Sequence, residues 1–410
     1  MKVVAARRVV LDLSESLLNE DGAQVSGLVN VTGGAVFDDD ERLLPLCLGF
    51  LTKHAKEESL SITSVETYGK NLGYAHQYLK ARREFATTSS DEAFLEVSGS
   101  LLAEYISHLI ENEELSTKTV RNRDATLLSF YDSYLCVPTF RGPVLREDNP
   151  YEKGLISPSP KKNLVIPCSL LELETLITSS DCERERCVLQ FIFDAGIRRS
   201  ELPRVTLAAV KKALDAQRYE YISSGDVPPL NTDYCSLKIA GSKGRSNQEK
   251  PRYTLVSRAT LQRVQRYHAS VLYRKHARKF KNDESTPAFL NAHGDTYTAN
   301  SVSKLLERLS ARAIKACKLK KPISPHKLRH GYAYAILKSP DLGEDFAERL
   351  FIAQKTMGHA DITTTQVYTM VPFDIYSRIN GSMEDTATKA QSMQALSDAT
   401  RLKIGLGDSK

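Results

Sequence analysis

A proline-rich stretch divides the chain in two and constrains its fold more than any other feature. Residues 149–167 contain four prolines, an Asn-Pro step, a Ser-Pro-Ser-Pro run and two adjacent lysines, and neither helical nor strand periodicity continues through them. The chain is 41% apolar and 26% charged, which is ordinary for globular proteins and excludes disordered, collagen-like and coiled-coil classes. We therefore predict two folded domains joined by a linker at 149–167.

The part before the linker is expected to be a small helical bundle over residues 41–148. Apolar residues recur there at spacings of three and four, the period of an amphipathic helix. Helices are predicted near 41–58 and over Val65–Leu79, Leu102–Leu109 and Val120–Tyr134. Thr63 and Glu66 form a capping-box pattern at the start of the second of these. Residues 1–40 show no clear period, and we assign them only to an N-terminal arm or extension.

The part after the linker, residues 168–372, is predicted to be a mostly helical α+β domain. Helices are expected over Leu170–Ile177 and Cys187–Ala195, the second ending at Gly196, with a new helix starting near Ser200. Alternating residues at Tyr234–Ile239 and Arg252–Val256 predict an antiparallel hairpin. The fold class is thus mostly α with a small antiparallel sheet.

The last segment, residues 373–410, carries a weakly apolar stripe that predicts a final helix. The stripe consists of Met383, Ala387, Ala390, Met393, Leu396, Ala399 and Leu402. Such a stripe can dock on a neighbouring copy of the chain or fold back on its own domain, and we favour docking.

Other classes of protein and of site are not indicated. The apolar stretch Leu43–Thr52 has about half of the roughly 20 residues that a membrane span needs, and no signal peptide precedes it. Seven scattered cysteines lack the spacing of a zinc site or a disulfide framework. We expect a protein without membrane segments, metal or cofactor, located in the cytoplasm.

Three groups of residues, far apart in sequence, share one possible target. Arg198 sits at a helix-to-helix turn, and His326 and Arg329 lie three apart on a helix that Ser324 and Pro325 can start. Further on, the chain offers a histidine and a phenol, His359 and Tyr368.

These residue types suit attack on a phosphodiester without a metal ion. The planar guanidinium of arginine can hold two phosphate oxygens and neutralise charge that grows in the transition state. A tyrosine can act as nucleophile if its proton is drawn off, and Lys243 in the hairpin turn can protonate the leaving oxygen. Lys238 and Lys250 lie in the same hairpin and are alternatives to Lys243.

In these motifs the sequence resembles the tyrosine recombinase, or phage integrase, family. Ala195–Leu202 resembles the family's first arginine box, with Arg198 catalytic and Glu201 its structural companion. The His-x-x-Arg box corresponds to His326 and Arg329, the Leu-Gly-His element to Met357–His359, and the Thr-Thr-x-x-Tyr element to Thr364–Tyr368. The hairpin lysine corresponds to Lys243.

The resemblance implies a fold and a reaction. A helical core-binding domain and a catalytic domain would form a C-shaped DNA clamp, and Tyr368 would form a 3′-phosphotyrosyl intermediate without metal or ATP. The partners implied are double-stranded DNA with an inverted-repeat core site, three further copies in a synaptic homo-tetramer, and accessory DNA-bending proteins. The protein would be nucleoid-associated when bound to DNA.

Two alternative functions share some of these features. A type IB topoisomerase or a telomere-resolving enzyme would use the same chemistry. A catalytically silent architectural protein would bind DNA alone, although the occupied catalytic positions disfavour it.

Basic clusters supply candidates for DNA contact. The net charge of +6 is modest, but the segment from Arg263 to Lys281 contains seven basic residues and no acid. A second basic cluster consists of Arg308, Arg312, Lys315, Lys318, Lys320 and Lys321. The DNA-binding candidates are Lys118, Arg121, Arg274, Lys275 and Arg278. Taken alone, such clusters are also typical of solvated helix faces.

Overall fold

The computed structural model describes residues 1–12, 28–88, 90–138, 142–160, 166–223, 233–241, 251–358 and 387–402. These residues form two compact units, which meet in sequence between Lys162 and Asn163. That division lies inside the stretch predicted as the linker. Within the described ranges, no helix is long and apolar enough to cross a membrane.

The first unit is a helical bundle with a two-stranded sheet. Its described elements are strands β1 (Lys2–Asp12) and β2 (Leu28–Phe37) and helices α1 (Pro45–Lys56), α2 (Ile62–Lys80), α3 (Ala93–Glu96), α4 (Gly99–Glu111) and α5 (Thr117–Phe130). One apolar core joins these helices, and Phe50, Leu72, Leu127 and Phe130 are fully buried in it. The helical bundle that the periodicity predicted is therefore confirmed.

Serine side chains start three of these helices. Ser61, Ser98 and Ser116 cap α2, α4 and α5, each accepting a hydrogen bond from a backbone N–H three residues later. The predicted capping box of Thr63 and Glu66 is wrong, because Ser61 is the extended residue before α2 and Thr63 already lies inside the helix.

The N-terminal hairpin is an element that the sequence pattern does not predict. β1 and β2 pair antiparallel, with a shift in register between Ala6 and Val9 that removes the strict alternation by which strands are recognised. Gly34 lets β2 press on the helices, since a Cβ there would lie 2.5 Å from Cγ1 of Val65 and 3.1 Å from Cβ of Leu51. A glycine inside a strand can mark such a close approach rather than a loop.

The second unit is mostly helical around a second small sheet. Its described elements are α6 (Leu170–Thr178), α7 (Glu183–Ala195), α8 (Leu207–Ser223), β3 (Tyr234–Ile239), β4 (Arg252–Ser257), α9 (Arg258–His268), α10 (Val271–Ala277), α11 (Ala299–Lys315), α12 (Pro325–Lys338), α13 (Phe346–Met357) and α14 (Lys389–Thr400). Every side chain of α7 from Cys187 to Ala195 is buried. A helix buried on all faces is the centre of its unit.

The predicted hairpin of the second unit is confirmed. β3 and β4 pair antiparallel, with Tyr234 opposite Ser257 and Ile239 opposite Arg252. Together with the bundle, this sheet gives the mostly α fold with a small antiparallel sheet that the sequence predicted, although the described residues form two such sheets rather than one.

The C-terminal helix α14 packs against its own unit. Its buried side chains are Lys389, Ala390, Met393, Leu396, Ser397 and Thr400. Met393 and Leu396 join the same apolar core as α7. The stripe is predicted to dock on a neighbouring copy, but its members Ala390, Met393 and Leu396 are buried against the chain's own residues, as in the alternative, and Met383 lies outside the described residues. Ala387 and Ala399, which belong to the predicted stripe, are exposed.

A buried ion pair holds α14 in this position. Nζ of Lys389 contacts the carboxylate of Asp194 on α7, and neither side chain is exposed. Asp194 also accepts hydrogen bonds from the backbone N–H of Ser257 at 2.8 Å and from its hydroxyl at 3.0 Å. The C-terminal helix is therefore tied to the end of α7 and to β4.

Candidate active site

Arg198 lies in a tight turn directly after α7. Gly196 ends the helix in the left-handed conformation, at φ +56°, which glycine adopts at little cost. A Cβ at this position would lie 2.2 Å from Cδ1 of Tyr332, so the turn requires glycine. It presents Arg198 at the surface of the unit, where one-third of the side chain is exposed.

The chain does not enter an α-helix at Ser200, and that prediction is wrong. Leu202–Arg204 form a 3₁₀ turn, and α8 begins at Leu207. Pro203 disfavours the α conformation of the residue before it, Leu202, and Val205 is already extended. This turn leaves Glu201 completely buried beneath Arg198.

Glu201 gathers three arginines around one carboxylate. It accepts hydrogen bonds from the backbone N–H of Arg198 at 2.7 Å and from its guanidinium at 2.9 Å. Arg252 donates to it at 2.8 and 3.4 Å, and Nη1 of Arg329 lies 4.0 Å away. Burial alone would raise the pKa of Glu201, but the hydrogen bond and charge of Arg252, with the other two arginines, hold that pKa below its ordinary value. The carboxylate therefore stays ionised and can fix the arginines.

Helix α12 carries His326 and Arg329 and begins as the sequence predicted. The side chain of Ser324 accepts a hydrogen bond from the N–H of Lys327, and Pro325 occupies the first turn. Both functional side chains therefore lie in the first two turns of a rigid helix, three residues apart on one face.

Arg329 joins two turns of the unit. Its side chain is 3% exposed, and it donates to the carbonyl oxygens of Gly196 and Met357, the second at 2.5 Å. Met357 is the last residue of α13, and Gly358 follows it in the left-handed conformation at φ +65°. Arg329 thus links the turn of Arg198 to the turn that leads to His359.

Three of the predicted catalytic residues line one cleft. This cleft has a volume of about 420 Å³, and its lining residues are Arg198, Arg199, Ser200, Ser324, Pro325, His326 and Arg329. The remaining three predicted catalytic residues, Lys243, His359 and Tyr368, lie outside the described residues. The structure therefore brings together the two arginines and the first histidine of the prediction.

The ring of His330 packs against that of His326 on α12. The two ring centroids are 4.1 Å apart, with the rings nearly perpendicular, because residues i and i+4 are neighbours on a helix. Tyr332 is fully buried and packs within the unit.

Arg252 is a residue of the site that the sequence analysis missed. An arginine at the end of a hairpin strand is typical of a solvated position. The alternation along β4 was nevertheless a usable signal, since Thr254 and Val256 are buried and residues two apart share one face of a strand. By that rule Arg252 belongs to the buried face, where it meets Glu201.

The DNA-binding candidates of the first unit have different surroundings. Lys118, in the first turn of α5, is exposed. Arg121 is partly buried, and its guanidinium donates to the backbone carbonyl of Ser157. This hydrogen bond ties α5 to the last described segment of the first unit.

The basic segment of the second unit contains exposed and buried residues. Arg274, Lys275 and Arg278 are exposed on α10 and directly after it. Arg263 is 1% exposed and pairs with Glu183 at 2.8 Å. The prediction that Arg263 faces DNA with the rest of its segment is therefore wrong. Among the described residues, no group of three His, Cys, Asp or Glu side chains is placed to hold a metal ion.

Comparison with known proteins places the chain among recombinases. The model of the phage integrase family matches residues 170–374. Tyrosine recombinase XerD of Halalkalibacterium halodurans is 25% identical over 330 residues, covering 78% of this chain and 91% of the relative. Tyrosine recombinase XerC of Pelotomaculum thermopropionicum is 26% identical over 332 residues, covering 78% of this chain and 92% of the relative.

Solved structures share the fold. The XerH site-specific recombinase bound to a palindromic difH substrate has a TM-score of 0.55 at 18% identity, covering 83% of this chain and 88% of that one. The integrase of transposon Tn1549 in complex with circular intermediate DNA has a TM-score of 0.52 at 18% identity, covering 81% and 97%. Since the family model spans half of the 410 residues, the chain belongs to the phage integrase family and is a tyrosine-type site-specific recombinase.

Proposed function

We propose that this recombinase cleaves and rejoins double-stranded DNA through a 3′-phosphotyrosyl intermediate, with Tyr368 as nucleophile and without metal or ATP. The observation that carries the proposal is that Arg198, His326 and Arg329 line one cleft. Two guanidinium groups held at one cleft can bind both non-bridging oxygens of a phosphate and stabilise the charge of the transition state.

The proposed step exchanges one phosphoester for another. The phenolic oxygen of Tyr368 gives its proton to a base, for which His326 is the candidate in the cleft, and attacks the scissile phosphorus while the bond from phosphorus to the 5′ oxygen breaks. Lys243 gives its proton to that oxygen, which leaves as a 5′-hydroxyl. In the return step the 5′-hydroxyl of a partner strand attacks the phosphotyrosine and frees Tyr368. The covalent intermediate conserves the phosphoester bond, so no ATP is consumed.

The two histidines have supporting roles in this proposal. His326 is exposed in the cleft, where it can contact the phosphate or take part in proton transfer. His359 follows the Gly358 turn, and we assign it a hydrogen bond to the same phosphate. Glu201 remains a structural group, because it is fully buried and already binds arginines.

The partners proposed are an inverted-repeat core site in DNA and three further copies of the chain in a synaptic tetramer, with accessory DNA-bending proteins where a site requires them. The similar XerH recombinase is described on a palindromic substrate, which supports a site with two-fold symmetry. We also propose that α14 is exchanged between copies in the tetramer. The cleft of each copy is built from that copy's own residues.

Replacing Tyr368 by Phe tests the proposal. The variant loses one oxygen, so it should bind DNA as the wild type does but form no covalent adduct on a nicked suicide substrate in denaturing gels. Tyr253→Phe is the matched control, since Tyr253 is 60% exposed on β4 and should leave adduct formation intact. An adduct formed by Tyr368→Phe would identify another nucleophile and refute the assignment.

A further inference from the structure

Arg252 is bound to two separate parts of the site. On one side its guanidinium donates to both oxygens of the buried Glu201 carboxylate, at 2.8 and 3.4 Å. On the other side Nη1 donates to the backbone carbonyl of Thr356, in the last turn of α13. A single side chain on β4 therefore connects the carboxylate that holds Arg198 to the helix that precedes His359.

The turn after α13 also rests on this side chain. A Cβ on Gly358 would lie 2.5 Å from Cδ of Arg252, so the glycine is in direct contact with the aliphatic part of the arginine. Gly358 is also in the left-handed conformation that glycine favours, at φ +65°. The contact and the conformation together fix where the chain leaves α13.

Burial makes this arrangement specific. The side chain of Arg252 is 9% exposed and that of Glu201 is not exposed at all, so water cannot replace the contacts that they make. Among the described residues, the charged groups that face Glu201 are Arg198 from its own turn, Arg252 from β4 and Arg329 from α12. Without Arg252, the buried carboxylate of Glu201 would lose one of the positive charges that compensate it. Its attraction for Arg198 and Arg329 would then shift these two side chains from their positions.

We propose that Arg252 is a positioning residue for strand cleavage. It fixes the position of Glu201 relative to the Met357–Gly358 turn, and Glu201 in turn fixes Arg198. This inference rests on the proposed cleavage reaction and adds to it a residue that no motif of the sequence singled out. Arg252 acts through its neighbours, and the cleft-lining arginines contact the phosphate.

The test compares Arg252→Met and Arg252→Lys with the wild type in single-turnover cleavage of a suicide substrate at saturating DNA. Small displacements of catalytic groups typically cost about 100-fold in rate, and we expect a reduction of about that size for the Met variant. DNA affinity should change little, because Arg252 does not line the cleft.

The pH profile separates positioning from a purely structural role. The hydrogen bond from Arg252 is the foremost influence that lowers the pKa of Glu201, so its removal should raise that pKa. Protonation of Glu201, which releases Arg198, would then occur at higher pH, and the acid limb of the cleavage profile should move upward in Arg252→Met. Lysine keeps the charge but cannot span Glu201 and Thr356, so Arg252→Lys should restore the acid limb and only part of the rate.

Arg184→Met is the matched control. Arg184 has similar exposure, 13%, and lies 3.7 Å from an acid, Glu185, but at the opposite end of α7 from Arg198. It should lower the melting temperature without changing the cleavage rate or the acid limb.

Any one of three results would overturn the inference. They are an acid limb that does not move in Arg252→Met, a cleavage rate in Arg252→Lys no higher than in Arg252→Met, and an equal reduction of the cleavage rate in Arg184→Met. If Arg252→Met does not fold, Arg252→Lys against the wild type still decides it, since a wild-type rate would show that the double contact is dispensable. Failure of the wild type to form an adduct, or an adduct formed by Tyr368→Phe, would refute the cleavage proposal itself, which keeps the two failures distinct.

Discussion

The cleft and helix α10 lie in the same unit and both carry several cations, but they hold them differently. In the cleft, Arg329 is 3% exposed and donates to two backbone carbonyls, and Arg198 is bound to a buried carboxylate. On α10, Arg274 and Lys275 are exposed. A fixed charge can stabilise one transition-state geometry, whereas an exposed charge attracts phosphate from many directions and is screened by salt.

Cations that are close in sequence can differ in whether they are buried or exposed. Arg263 starts the same basic segment as Arg274, but it lies in α9 with its guanidinium bound to Glu183, Gln190 and Thr400. Lys389 is more extreme, since it is completely buried against Asp194. The comparison therefore predicts stability effects for cations buried away from the site, rate effects for the cleft arginines and for Arg252 behind them, and salt effects for exposed cations.

The largest expected effect is on stability, from Lys389→Met. Removing one partner of a buried ion pair leaves the other charge without compensation and typically costs about 3–5 kcal/mol. We expect the free energy of unfolding, measured by urea denaturation, to fall by about that amount. Lys355→Met is the control, because Lys355 is exposed on α13 and such changes usually stay within about 0.5 kcal/mol. Equal stability of the two variants would show that the Lys389 pair contributes nothing.

Truncation after Ser382 removes the whole of α14 and tests whether this helix packs on its own unit. If α14 covers its own unit, the truncated protein loses Lys389, Met393 and Leu396 from its core, and its melting temperature and single-site DNA binding should both fall. If α14 docks on a neighbouring copy, single-site binding should survive while synaptic complexes and recombination disappear. The packing in the structure favours the first result for the isolated chain.

The next prediction concerns Arg198, whose guanidinium is held by Glu201 and also lines the cleft. In Arg198→Lys the ammonium keeps the charge but cannot span two phosphate oxygens. Losing one such transition-state donor typically costs about 100- to 1,000-fold in rate, so single-turnover cleavage should fall by that factor while DNA affinity stays near that of the wild type. Cleavage near the wild-type rate would remove Arg198 from the clamp, and a matching decrease in affinity would make it a binding residue.

The sequence was sufficient where one short segment carries its own geometry. Gly196 ends α7, Ser324 and Pro325 start α12, and the three-residue spacing places His326 and Arg329 on one face. The helical bundle and the β3–β4 hairpin followed from periodicity for the same reason.

The sequence was insufficient where the outcome depends on what lies opposite in space. Arg263 and Arg274 look alike in a basic run, and only the position of Glu183 buries one of them. Arg252 became part of the site because β4 runs past both Glu201 and the end of α13. The N-terminal hairpin was hidden because its register shift and its glycines disrupt the pattern of a strand.

The smallest expected effect comes from the exposed cations of α10. Replacing Arg274, Lys275 and Arg278 together by Ala should flatten the plot of log K against log salt by about 0.9 for each DNA phosphate that the variant no longer neutralises. The melting temperature should hardly change, because exposed side chains contribute little to stability. Cleavage at saturating DNA should also be retained, since these residues do not line the cleft.

Arg263→Ala is the matched control, because it removes a cation from the same basic segment of the sequence. This substitution should lower the melting temperature, since Glu183 and Gln190 lose their partner, and should leave the salt slope as it is. The two variants should therefore give opposite results in the two measurements, the triple variant changing the slope and Arg263→Ala the stability. An unchanged slope in the triple variant would make α10 an ordinary solvated face, and a flattened slope in Arg263→Ala would contradict the separation between buried and exposed cations.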